Sequence, residues 1–255
     1  MQFETELNVA REAAMRAGEI ALRYRKQGVK AEEKADLSPV TIADRECEAA
    51  IVSTIRAAFP EDGILGEEGS THESRNGRRW IVDPIDGTRD FVRGNPAWAN
   101  LIGLEVDGEV VVGTAHLPAL GELFHAARGC GAFRNGEPIR VSSIAAPSQA
   151  VVCFNGFNAV TRKGPAGTLL PWLANFWAVR SMGGVLDAVM VAQGQADLWL
   201  ELTAAPWDLA PLKILTEEAG GRFFNFDGGS TIYGGNAVCC TPGLEAEARR
   251  FLGIS

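Results

Sequence analysis

The hydrophobic period of this chain changes twice, and those changes set what it can fold into. Up to Phe59 the apolar residues recur at helical spacing. Leu7, Ala10, Ala14, Ala17, Ala21 and Leu22 form one stripe; Ile42, Cys47, Ile51 and Ile55 form a second, closing at Phe59-Pro60. Between them Glu32–Pro39 is a polar connector that Pro39 keeps out of helix. Its charges are either solvated or, at Lys34 and Asp36, turned toward a pocket. From Ile64 the pattern becomes that of strands. Trp80-Ile81-Val82 reads as a short buried strand running straight into Asp83-Pro84. Leu101–Val106 and Val110–Thr114 flank Asp107-Gly108, a hairpin signal because glycine accepts positive φ. Leu123-Phe124, Gly131–Phe133, the Asn135-Gly136 turn and Ile139–Val141 continue an antiparallel meander.

Beyond Pro147 strands and helices alternate. Strands are predicted at Ala150–Phe154, Asp197–Glu201 and Arg222–Phe224, and helices at Gly167–Trp177, Val185–Gln193 and Leu209–Ala219. Gly156–Gly167 is the loosest stretch. An α+β half over residues 1–145 is therefore expected to join an α/β half over 146–255 in one compact unit.

Composition narrows the function. With 46% apolar and 22% charged residues the chain carries enough apolar surface to offset the entropy of ordering. A net charge of −8 argues against nucleic-acid binding through a broad basic face. It also means that an anionic substrate needs a local reversal of charge, for which a bound metal is the simplest source. No apolar run approaches the ~20 residues of a bilayer span, and the amino terminus has no signal-like apolar core. The five cysteines are odd in number and form no CxxC pair, which favours a reducing cytoplasm over a disulfide framework.

Acidic residues stand at the ends of elements. Glu67 and Glu68 follow Ile64-Leu65, Asp83 and Asp86 follow the Trp80 strand, and Asp208 opens a helix. Carboxylates so placed converge in a crevice and repel one another unless a hard cation neutralises them. Oxygen-only ligands suit Mg²⁺. Pro84 stiffens the turn, so that Asp83 and Asp86 can face one site. Gly87 permits close backbone approach, and the helix start at Gly87-Thr88 offers N–H groups to a phosphate. The Thr88 hydroxyl can orient a water beside Glu67.

Trp80–Thr88 (WIVDPIDGT), with GEE upstream and PWD downstream, resembles the inositol monophosphatase family of lithium-sensitive phosphatases. Lys34–Asp44 (KADLSPVTIAD) and Thr216–Gly221 (TEEAGG) extend the resemblance over most of the chain. It implies a layered α-β-α-β-α sandwich, two or three Mg²⁺ ions, a small alcohol phosphate as substrate and a homodimer. Position by position, Glu67, Asp83, Asp86, Asp208 and the Ile85 carbonyl match the metal ligands. Thr88 and Glu67 match the water-activating pair, and Asp44 the acid that holds Thr88. Asp86, Gly87 and Thr88 match phosphate contacts, and Glu201 the acid facing the substrate's alcohol part.

The segment Arg180–Val185 differs from the inositol phosphatases. Its spacing resembles the histidinol-phosphate phosphatases of the family, as do Thr88–Phe91 (TRDF) and Asn95–Trp98 (NPAW). Gly183 and Gly184 are placed by the resemblance at the pocket mouth, but Gly184 stands where those enzymes usually carry Asp. Arg180 either offsets phosphate charge or pairs with an acid. Histidinol phosphate and inositol monophosphate are thus both candidate substrates, with a bisphosphate such as fructose 1,6-bisphosphate or adenosine 3′,5′-bisphosphate behind them. The Asp83-to-Asp86 spacing does not fit an aspartyl-nucleophile phosphatase of DxDx[TV] type, and no cysteine is followed by arginine at Cys-x5-Arg spacing. Direct in-line hydrolysis without a phosphoenzyme is expected. Some family members also act as partners of the RNA machinery, a role that loss of a metal ligand would favour; all the matched ligands are present. His72, His116 and His125 are expected at the surface or in strand packing, and Cys239-Cys240, Trp172, Phe176 and Trp177 in the core.

Overall fold

The computed structural model describes residues 2–28, 32–33, 39–160 and 166–254. Lys34, Asp36 and residues 161–165 of the Gly156–Gly167 stretch lie outside them. The two amino-terminal stripes are helices α1 (Glu4–Gln27) and α2 (Ile42–Ala58), and a two-residue pair, β1 (Glu32–Glu33) with β2 (Pro39–Val40), lies between them in sequence. The meander belongs to an eight-stranded sheet built from β3 (Gly63–Gly66), β4 (Thr71–His72), β5 (Arg78–Asp86), β6 (Ala99–Val106), β7 (Glu109–Leu117), β8 (Glu122–Ala127), β9 (Gly131–Arg134) and β10 (Glu137–Ile139). Its order is β10-β9-β8-β7-β6-β5-β3-β4, and only β3 with β5 is parallel. A short helix α3 (Thr88–Arg93) follows β5.

The second half forms a five-stranded sheet of order β12-β11-β13-β15-β14. Its strands are β11 (Val151–Asn155), β12 (Ala178–Arg180), β13 (Leu198–Glu201), β14 (Arg222–Phe224) and β15 (Ala237–Cys240). Helices α4 (Ala166–Leu173), α5 (Gly184–Ala192), α6 (Pro206–Glu218) and α7 (Glu245–Leu252) complete the described elements.

Burial orders these elements into layers. Ala10, Ala14, Ala17 and Ala21 of α1 and Cys47, Ile51 and Ile55 of α2 pack with Trp80, Val82 and Ile102 from one face of the large sheet. The other face, through Ile81, Leu101 and Phe124, shares a core with α5, α6 and Trp199 and Cys239 of the small sheet. The far face of the small sheet packs Phe154, Leu200 and Val238 against Trp172 of α4 and Ala248 of α7. The result is an α-β-α-β-α sandwich, as the resemblance implies.

Two glycines set the central layer. Gly103 on β6 and Gly113 on β7 are cross-strand partners. A Cβ at Gly113 would stand 2.3 Å from Ile214 Cγ2 and 2.9 Å from Pro211 Cα, and one at Gly103 would stand 2.7 Å from Ala210 Cβ. Helix α6 therefore lies directly on the sheet backbone, a distance that only hydrogen side chains allow. This seating brings the α6 amino terminus, with Asp208, beside β5.

Several elements differ from expectation. The helix expected at Gly167–Trp177 ends at Leu173; Trp172 and Phe176 are buried, but Trp177 is 72% exposed. Strand β12 and helix α7 give no sequence signal strong enough to predict, because β12 is three residues at a sheet edge and α7 carries only a narrow apolar stripe. Cys239 and Cys240 are core residues, within strand β15. His116 and His125 sit on β7 and β8. Burial pushes the His125 pKa down to about 4, so it is neutral at physiological pH.

Candidate active site

The strand carrying Asp83 continues through Asp86, and a bulge aims the two acids. Asp83 pairs with Leu101 and Asp86 with Ala99, so Pro84 and Ile85 together oppose Asn100 alone. Along a regular strand residues three apart face opposite sides; the extra residue returns Asp86 to the side of Asp83. Ile85 turns to the α1–α2 side, where it is fully buried. Pro84 donates no hydrogen bond, which suits the bulge, and its carbonyl accepts from Asn100 Nδ2 at 2.5 Å. Asp83 Oδ1 accepts from the Ile85 N–H at 2.9 Å.

Asp208 arrives from the other layer. Pro206 occupies the first turn of α6, and Asp208 Oδ2 caps the helix by accepting from Ala205 N at 2.7 Å. One oxygen each of Asp83, Asp86 and Asp208 lie within 4.8 Å of one another. Burial first, and then the charges of neighbouring acids including Glu67, hold the Asp83 and Asp86 pKa values well above the carboxylate range. Burial, the largest cause, pushes Asp208 up to about 6. Such a trio is unstable when ionised without a cation. All its donors are hard oxygens gathered at one place, and that donor set fits Mg²⁺.

These acids line a cavity of about 360 Å³, with Glu67, Ile85, Gly87, Thr88, Gly183, Gly184 and Glu201 also on its walls. Among the described residues that line it, six are acidic (Glu67, Asp83, Asp86, Asp90, Glu201 and Asp208) and one, Arg89, is basic. The cavity thus demands positive charge.

Gly87 adopts φ 78° at the start of α3, and a Cβ there would meet the Ala97 carbonyl oxygen at 2.9 Å. Only glycine satisfies both constraints. Thr88 Oγ1 lies 3.3 Å from Asp44 Oδ1 and 3.1 Å from the Ile85 carbonyl oxygen, so its single proton has two acceptors. Asp44 is itself fixed at the start of α2: its Oδ2 accepts from Thr41 N at 2.8 Å and Thr41 Oγ1 at 2.6 Å. It is fully buried behind the cavity wall, and burial raises its pKa.

Glu201, at the end of β13, accepts from Asn155 Nδ2 at 2.7 Å and from Thr203 N at 3.1 Å. Burial pushes its pKa up to about 7. Gly184 is beside it: a Cβ there would lie 3.8 Å from Glu201 Oε2 and 3.6 Å from Asn155 Nδ2. Arg180 stands apart. It is exposed, its Nη1 donates to the Val179 carbonyl at 2.9 Å, and it is absent from the cavity lining.

Three supporting residues escape the sequence reading. Glu48, on α2, is 3% exposed; its two carboxylate oxygens accept from Glu68 N (2.8 Å) and Ser70 N (2.9 Å), fixing the loop that carries Glu67. Asp187 is fully buried on α5 and accepts from Met182 N at 3.0 Å, holding the turn before Gly183. Asn100 supports the bulge. Glu48 and Asp187 do leave a trace: each acid interrupts an apolar face of a helix, where only a partnered carboxylate is tolerated.

A layered sandwich whose buried and half-buried carboxylates converge on an acid-lined cavity suits a hydrolase. The chain belongs to the inositol monophosphatase family, whose profile matches residues 2–252. It is 40% identical to a histidinol-phosphatase of Chlorobaculum parvum over 91% of this chain and 90% of that one. It is also 40% identical to a histidinol-phosphatase of Mycobacterium tuberculosis over 95% of each chain. Among solved structures, the extragenic suppressor protein suhB of Bartonella henselae superposes with a TM-score of 0.88 at 32% identity, covering 98% of both chains. No helix among the described residues is long and apolar enough to cross a membrane.

Proposed function

We propose that this phosphoric monoester hydrolase cleaves a small alcohol phosphate with Mg²⁺, and that histidinol phosphate is its substrate. The observation that carries the reading is the convergence of Asp83, Asp86 and Asp208 oxygens within 4.8 Å in an acidic cavity. Glu67, Asp83, Asp86, Asp208 and the Ile85 carbonyl would hold two or three ions. When bound, Mg²⁺ supplies Lewis-acid stabilisation of phosphate charge and hydroxide near neutral pH. Thr88 and Glu67 orient the attacking water in line with the leaving oxygen, and Asp44 directs the Thr88 hydroxyl. Gly87 and Thr88, at the first turn of α3, receive the phosphate with backbone N–H groups. Glu201 faces the alcohol part, with Gly183 and Gly184 leaving room for it. Phosphoryl transfer needs mainly positioning and charge neutralisation, and this arrangement offers both without a nucleophilic side chain.

The two relatives at 40% identity and the two cavity carboxylates not assigned to metal, Asp90 and Glu201, support a cation-bearing alcohol. Inositol monophosphate is the second reading, favoured by the absence of a side chain at Gly184. In this account the enzyme works in the cytoplasm as a homodimer; exposed Val179 on the edge strand β12, with Trp177 and Met182 on either side of it in sequence, supports association, and sedimentation measures it. The test of substrate is phosphate release with Mg²⁺ from histidinol phosphate, inositol 1-phosphate, fructose 1,6-bisphosphate and adenosine 3′,5′-bisphosphate. The reading expects the highest kcat/KM for histidinol phosphate; a higher value for any other substrate overturns it.

A further inference from the structure

Two glycines of the cavity wall, Gly183 and Gly184, are flanked by two carboxylates from different elements of the fold, Asp90 on α3 and Glu201 on β13. A Cβ on Gly184 would lie 3.8 Å from Glu201 Oε2, and one on Gly183 would lie 3.9 Å from Asp90 Oδ2. Adjacent Cα atoms are ~3.8 Å apart, so both acids border one short strip of bare backbone. Asp90 is the third residue of α3 and lines the cavity. Its Oδ1 accepts from Asn95 Nδ2 at 2.7 Å, and Asn95 Oδ1 in turn accepts from Ala97 N at 3.1 Å. That bond fixes the carboxylate's direction and leaves Oδ2 toward Gly183. Among the described residues no lysine, arginine or histidine forms an ion pair with Asp90 or Glu201.

A first-turn acid on a helix has an ordinary local use, since it faces the positive end of the dipole. That use does not call for an oriented second oxygen at a cavity wall. Nor does Asp90 belong to the acid trio that converges on the metal position: its free oxygen borders Gly183.

We infer that Asp90 is a specificity-determining residue, which with Glu201 selects a substrate whose alcohol part carries a positive charge. The inference rests on the phosphatase reading and deepens it. A compact cation such as an ammonium, seated over Gly183-Gly184, would meet one oxygen from each side. The bare backbone provides the space, and Asp90 supplies, from α3, charge that position 184 does not. A neutral polyol in the same place gains only ordinary hydrogen bonds.

The test is the Asp90→Asn variant, which preserves shape and can keep the Asn95 contact through its own amide oxygen. Two measurements are made on the Mg²⁺-loaded protein. The first is kcat and KM for histidinol phosphate and for inositol 1-phosphate; the second is calorimetric titration with histidinol, the phosphate-free amino alcohol. Losing one charge-assisted hydrogen bond should raise KM for histidinol phosphate and weaken histidinol binding on the order of tenfold or more. kcat and the KM for inositol 1-phosphate should stay within about twofold, well under the tenfold that a lost ionic contact costs. Equal shifts for the two phosphates, or histidinol affinity equal in variant and parent, overturn the assignment, as does failure of the parent to bind histidinol. Failure of the parent to hydrolyse either phosphate overturns the phosphatase reading instead, and the histidinol titration still decides the role of Asp90.

Discussion

Thr88 and Asp44 are 44 positions apart in sequence, yet Thr88 Oγ1 lies 3.3 Å from Asp44 Oδ1. The contact ties the first residue of α3 to the first turn of α2, across the layer boundary. Because Asp44 Oδ2 is already engaged by Thr41, Oδ1 is the oxygen left for Thr88. Thr88→Ala should therefore lower kcat on the order of 10²-fold or more, the scale of lost proton or water positioning, with Mg²⁺ affinity little changed. Thr88→Ser should restore most of the rate. Calorimetric Mg²⁺ titration beside steady-state kinetics checks this; loss of Mg²⁺ binding in Thr88→Ala would make Thr88 a metal-site residue instead.

Glu48 acts one step further back. In Glu48→Gln the amide has one acceptor oxygen for two backbone donors, Glu68 N and Ser70 N. A buried N–H left facing an NH₂ group costs about 1–3 kcal/mol. The variant should melt lower and need more Mg²⁺ for half-maximal activity, because the Glu67 loop is loosened. Unchanged Mg²⁺ activation with a lowered Tm would confine Glu48 to stability.

The acids of the cavity predict an unusual pH dependence. Asp83, Asp86, Asp208 and Glu201 all have folded pKa values raised above those of the unfolded chain, Asp208 to about 6 and Glu201 to about 7. The folded protein therefore holds more protons than the unfolded one between the ordinary carboxylate range and those values. Stability from these groups is full below that range and is lost as pH rises through it. In EDTA, the Tm advantage of Asp208→Asn over the parent should grow from pH 5 to pH 8, and Mg²⁺ should stabilise the parent more at pH 8. An advantage independent of pH would contradict the charge repulsion described for the site.

Gly184→Asp probes the alcohol pocket from the opposite side to Asp90. The backbone there accepts a side chain, and the new carboxylate would extend from a Cβ 3.8 Å from Glu201 Oε2. The ratio of kcat/KM for histidinol phosphate to that for inositol 1-phosphate should rise, since the added acid pairs with an ammonium but repels an anionic ligand. An unmoved ratio would show that position 184 does not select substrate.

Much of this architecture is legible in the sequence, and the exceptions have physical causes. Long stripes such as Leu7–Leu22 and the Asp107-Gly108 hairpin are local signals, and both elements form as expected. The acids Asp83, Asp86 and Asp208 are legible because they stand where apolar runs stop. Their convergence is not, because it depends on a bulge whose register is set by β6 and on α6 resting against Gly103 and Gly113. Trp177 shows the limit of periodicity: it continues the spacing of Trp172 and Phe176, yet the helix has ended and the ring faces outward. Arg180 is a charge in the expected segment, but pairing of β12 with β11 carries it away from the cavity.

The most direct test of the central claim, that a divalent cation held by Asp83, Asp86 and Asp208 drives phosphate ester cleavage, is phosphate release from histidinol phosphate by the parent and Asp86→Asn, with Mg²⁺ and with excess EDTA. The account predicts turnover by the parent with Mg²⁺, none above background in EDTA, and a loss on the order of 10³-fold or more in a folded Asp86→Asn. Full turnover by the parent in EDTA, or by Asp86→Asn with Mg²⁺, would contradict it.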